Sequence, residues 1–82
     1  MYRNRKINNL DSENLKLQNA LSKNDLRLVV EIYTDQAKLD LEKGNQENAY
    51  FNFTQAYIFA LEGGLKISDE IYEILLKAER EV

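Results

Sequence analysis

The sequence predicts an all-α fold, a small antiparallel bundle of three long helices preceded by a short one. Three observations carry that prediction. Proline is absent and glycine occurs three times in 82 residues, too few turn residues for a multi-stranded sheet but enough for long helices joined by tight connections. Apolar residues recur at spacings of three and four from Leu26 onwards, the period of a helical face. Finally, Asn48 to Leu61 is a run of fourteen uncharged residues holding Tyr50, Phe51, Phe53, Tyr57 and Phe59, five of the eight aromatic residues, so any fold must bury this stretch from more than one side.

The domain organisation read from the chain is a flexible basic N-terminal tail over 1–9 and a single helical domain over 10–82. Residues 1–9 are polar and show no periodicity, as befits a terminus that frays. Asp11 and Ser12 supply a capping pair before Leu15, Leu17, Ala20 and Leu21, which predicts a short first helix from Asp11 to Ser22. Its apolar stripe is thin, so it leans on the rest of the domain.

Asn24 reads as the cap of a second helix running to Lys43, with Leu26, Val30, Tyr33, Ala37 and Leu41 on one face. A side line of Leu28, Ile32 and Leu39 gives this helix a second neighbour to touch. Gly44 supplies the left-handed residue that ends it. The third helix, Gln46 to Glu62, places Ala49, Phe53, Ala56 and Ala60 on its main face, Tyr50 and Tyr57 beside them, and Phe51 and Ile58 opposite. Gly63 and Gly64 end it. Ser68 reads as the cap of the last helix, with Asp69 and Glu70 in its first turn, Lys77 and Arg80 near its end, and Ile71, Ile74, Leu75 and Ala78 as its stripe, all matched to the helix dipole.

An internal echo and three family resemblances bear on architecture. At an offset of twenty, Leu21, Leu41 and Leu61 align, as do Asn24, Gly44 and Gly64, and Tyr33-Thr34 falls on Phe53-Thr54, a period of one helix plus one turn. From Tyr33 to Tyr57 the chain resembles a single tetratricopeptide repeat, a helix-turn-helix unit: Gly44, Asn45, Ala49, Phe53 and Ala56 stand in the places of its second half, and Tyr33 and Ala37 in the large and small positions of its first helix. Gln46 departs from the aromatic usual there. The segment Gln55 to Gly64 also resembles a run in small uncharacterised proteins of alphaproteobacteria, and the hairpin with its final helix resembles the three-helix microtubule-interacting-and-trafficking domain. The resemblance to these modules implies a non-enzymatic protein of bacterial type that binds a peptide or protein, and repeat analogy assigns that contact to Glu31, Thr34, Lys38 and Leu41.

Composition narrows the chemistry. With no Cys and no His, disulfides, thiolate nucleophiles and the commonest acid-base and metal-binding side chain are missing. Carboxylates spaced one turn apart, Glu31 with Asp35 and Glu70 with Glu73, fall on faces expected to be solvated, where nothing perturbs them. No phosphate loop or calcium loop is present, so no cofactor, metal or catalytic residue is expected and the chain is not read as an enzyme. The net charge is −3, and Arg3, Arg5 and Lys6 leave −6 for the remainder, an acidic body that disfavours nucleic acid. No stretch of about 18 apolar residues suits a membrane span, and the start lacks a signal-peptide core, so a cytoplasmic protein is expected. A second interaction surface follows from cover: 82 residues offer little to lay over Phe51, Ile58 and Phe59, and these predict a homodimer contact, with Leu28, Ile32 and Leu39 as the competing candidate.

Overall fold

The computed structural model describes residues 15–81, with side chains as far as Glu79. All four helical segments predicted from the sequence are present. The chain is already helical where the described residues begin, and α1 covers 15–22; the predicted tail and the Asp11-Ser12 cap lie outside the described residues. Then follow α2 (Leu26–Glu42), α3 (Gln46–Glu62) and α4 (Ile67–Glu81). The fold is an all-α bundle, and α3 is its middle element: it packs against both α2 and α4, which make no close backbone approach to each other. A Cβ on Gly63, at the end of α3, would lie 3.3 Å from Leu26 Cβ at the start of α2, as antiparallel neighbours require.

The twenty-residue echo is a repeated turn. Asn24, Gly44 and Gly64 have φ of 58°, 79° and 64°, and each donates its N–H to the residue three before it, Leu21, Leu41 and Leu61 respectively. The next residue in each case, Asp25, Asn45 or Leu65, donates to the carbonyl five back, of Ala20, Asp40 or Ala60, at 2.8, 2.8 and 2.9 Å. This is the Schellman closure, which satisfies carbonyls that a helix end leaves free. It corrects the sequence reading at Asn24: that residue closes α1 in the left-handed conformation, which Asn tolerates better than other side chains, and Asp25 is the cap of α2, accepting from the Leu28 N–H at 3.3 Å. Asn45 caps α3 in the same way through the Asn48 N–H. Leu65 has no such oxygen, and the chain enters α4 by backbone bonds from Ser68 to Leu65 and from Asp69 to Lys66. Ser68, predicted as the cap, therefore lies inside the helix.

The core joins Val30 and Ala37 of α2, Phe53, Ala56 and Ala60 of α3, and Ile71 of α4. Small alanines let α3 approach its neighbours, and Phe53 fills the space beside them. Tyr33, Tyr50, Tyr57, Phe59, Leu65, Ile74 and Leu75 close its edges. Leu41, predicted for the main face of α2, is 39% exposed, while Val29 and Asp40 are buried in its stead. Asp40 occupies the position held by Ala20 and Ala60 in the other two turns, and its carboxylate is met by Gln36 Nε2 at 3.1 Å and Asn52 Nδ2 at 2.9 Å. Two amide donors satisfy a carboxylate that burial would otherwise penalise, and the bond to Asn52 ties α2 to α3.

Candidate functional site

A flank of α2 that adjoins its core-facing side forms one wall of an open cleft. Arg27, Val30, Glu31, Thr34, Asp35 and Lys38 line it, spaced by three and four as one helical face dictates, and the connection from Gly64 to Ile67 forms the other wall, enclosing about 700 Å³. Val30 is buried at its base, whereas Arg27, Glu31, Asp35 and Lys38 are exposed. The turn at Gly64 builds the second wall, since its left-handed residue directs the chain back past the start of α2 before α4 begins.

Thr34 distinguishes this cleft from an ordinary helix flank. Its Oγ1 is buried and has no hydrogen-bond partner, although the side chain as a whole is half-buried. Thr54, the residue twenty further on, donates its hydroxyl to the Tyr50 carbonyl at 2.8 Å. A buried hydroxyl without a partner costs free energy of about 1–3 kcal/mol.

Three of the four residues assigned by repeat analogy, Glu31, Thr34 and Lys38, come together in this cleft. Leu41 does not: it lies two turns beyond Thr34, where its carbonyl accepts the Gly44 N–H. Arg27, Val30 and Asp35 were not singled out for the contact, yet Arg27 and Asp35 flank Glu31 at four-residue spacing and belong to the same face. The 64–67 wall is brought there by tertiary packing and left no signal in the sequence.

The second predicted surface divides. Phe51 and Ile58 are 61% and 49% exposed on the outer side of α3, so neither α2 nor α4 covers them. Phe59 belongs elsewhere. One residue on from Ile58 it is turned about 100°, stacks on Tyr33 of α2 with centroids 5.9 Å apart and planes 9° from parallel, and closes the core. Leu61, 55% exposed, joins the outer face instead. On α2, Leu28 and Leu39 are exposed and Ile32 is half-buried. A second ring pair between helices, Tyr57 with Tyr72 at 5.9 Å, fastens α4 to α3.

Among the described residues no group of three or more Asp, Glu, His or Cys is placed to hold a metal ion, and no helix is long and apolar enough to cross a membrane. Glu31, Asp35, Glu70 and Glu73 are all exposed. The chain matches no family model, no curated protein and no solved structure. The tetratricopeptide likeness accordingly rests on its residues alone.

Proposed function

We propose that this chain is a cytoplasmic, non-enzymatic interaction module, a tetratricopeptide-like helical hairpin that holds a peptide or protein segment in the cleft along α2. The observation that carries this reading is the cleft itself. A concave site with an apolar base and a few polar groups around it suits recognition of a small segment. The cleft also holds Glu31, Thr34 and Lys38, which repeat analogy had assigned to partner contact.

The test is a random-peptide display selection against the full chain, followed by chemical-shift mapping with the enriched peptides. Shifts are expected in 27–38 and 64–67, and Thr34→Ala or Lys38→Glu should each weaken binding by about tenfold, roughly 1.4 kcal/mol. No enrichment over the bare support, or shifts confined to the outer side of α3, would sink the reading. A second reading, a structural homodimer, draws on the exposure of Phe51 and Ile58; its test belongs to the whole molecule and is argued in the Discussion.

A further inference from the structure

We infer that the outer side of α3 is a docking seam for one amphipathic helix of another protein, apolar along its contact line and basic at both ends. The seam shares no residue with the cleft, and the inference does not depend on the peptide-binding reading above. Between Ala49 and Leu61 the exposed residues of α3 are Phe51, Thr54, Ile58 and Leu61, and the rest of that stretch is buried or half-buried. Their spacings are three, four and three. This is the a and d pattern of a coiled-coil seam, and a stripe that narrow is matched by a single partner helix, whereas a helix set on a globular core shows a wider apolar face. A stripe turned to solvent is ordinarily polar or charged; this one carries no charge. Phe51 and Ile58 lie two turns apart, about 10 Å along the axis. Thr54 between them donates its hydroxyl to the Tyr50 carbonyl at 2.8 Å, so a helix laid over it leaves that hydroxyl satisfied.

Charge decides which helix fits. Glu47 stands four residues before Phe51 and Glu62 four after Ile58, so both lie on the face of the seam, one towards each end and about 22 Å apart. No Lys or Arg lies between them. A second copy of α3 would set its own glutamates against these. A helix with Lys or Arg at both ends, about four turns apart, instead meets a glutamate at each end, whichever way it runs, and such complementarity selects the partner more than it adds affinity. Lys43 and Lys66 are the next cations along the chain, and they belong to the neighbouring elements: Lys43 closes α2, and the Lys66 carbonyl accepts the Asp69 N–H in the first turn of α4. Because Glu47 and Glu62 are exposed, the preference for a basic partner falls with added salt.

The experiment titrates the full chain, followed by its amide spectrum, with three synthetic peptides. The basic one is Ac-Lys-Lys-Ala-Leu-Ala-Gln-Leu-Gln-Ala-Gln-Leu-Ala-Gln-Leu-Ala-Lys-Lys-NH2, the acidic one has glutamate in place of its four lysines, and the third replaces the central alanine of the basic one by proline, which breaks the helix. The basic peptide should bind at least about tenfold more tightly than either of the others, with shifts along Phe51, Thr54, Ile58 and Leu61. In the Glu47→Lys/Glu62→Lys variant the basic and acidic peptides should exchange order, and Phe51→Ala/Ile58→Ala should weaken the basic peptide at least about tenfold, the same spectra checking that each variant is folded. Equal binding of the two charged peptides, or preference for the acidic one, as Lys43 and Lys66 would produce if they faced the occupant, overturns the basic partner. Equal binding of the proline peptide overturns the helix. No binding, or shifts in the cleft instead of the seam, overturns the site. A chain already dimeric at the titration concentration and monomeric as Phe51→Ala/Ile58→Ala assigns the seam to a second copy and overturns the proposal as well.

Discussion

Phe51 and Phe53 stand two residues apart on α3 and have opposite environments. Phe53 is 1% exposed at the centre of the core and Phe51 is 61% exposed on the outer side, because two residues of helix turn a side chain through about 200°. Phe53→Ala removes a ring between α2, α3 and α4 and should cost about 3–5 kcal/mol, a large part of the stability of so small a domain. Phe51→Ala should change denaturant stability by less than about 1 kcal/mol. A large loss for Phe51→Ala in dilute solution would mean that the outer side of α3 is covered within the monomer. Asp40 makes the same point about side chains from the polar direction. Its neighbours in the twenty-residue register, Ala20 and Ala60, are buried without needing partners, whereas a carboxylate there needs the amides of Gln36 and Asn52. Nothing in the spacing of charges along α2 announces this, because Asn52 reaches Asp40 only once α3 has folded back.

At the level of elements, the three equivalent turns fix where the helices stop and how they are joined. A Cβ at Gly44 or Gly64 would meet nothing within 4 Å, so the cost of a side chain there is conformational. Gly44→Ala and Gly64→Ala should each lower stability by about 1 kcal/mol, while Asn24→Gly should not lower it, since glycine is the residue that this position prefers. Thermal or denaturant unfolding of the three single variants measures this, and a loss of stability in Asn24→Gly would show that the Asn24 side chain does more than tolerate its φ. The same turns explain how much of the fold was legible. The bounds of α3 and its buried face of Ala49, Phe53, Ala56 and Ala60 follow directly from the glycines and the helical period. Asn24 and Asp25 are both good capping residues, and only the backbone separates the one that ends a helix from the one that begins the next. Val29 and Leu41 exchanged roles because burial on α2 depends on where its neighbours lie, which its own period does not specify. The cleft divides along the same line: the α2 wall was readable as a face carrying Glu31, Thr34 and Lys38, and the 64–67 wall was not.

The described residues form a thin layer, with a smallest Cα extent of 12 Å, and a layer so thin cannot hide both sides of its middle helix. The outer side of α3 is therefore where self-association would occur, and its charges set the strength. Between Gln46 and Glu62 there is no Lys or Arg, while Glu47 and Glu62 stand at the two ends. Two copies related by a two-fold axis with α3 antiparallel bring Glu47 of one beside Glu62 of the other, and a parallel pairing sets each glutamate against its equivalent. Either arrangement opposes like charges. The apolar contribution comes from Phe51, Ile58 and Leu61, three side chains against the roughly 800 Å² per partner of a standard stable interface. Weak association is the expected result: sedimentation equilibrium should find monomer at tens of micromolar, with dimer appearing only towards millimolar concentration. Added salt should favour the dimer by screening the glutamates, and Phe51→Glu should abolish it. A monomer at every concentration removes the homodimer reading. A dimer complete at tens of micromolar, lost in Phe51→Glu, would instead make the outer side of α3 the principal interface and put the folding free energy of the chain under mass action, visible as a denaturation midpoint that rises with protein concentration.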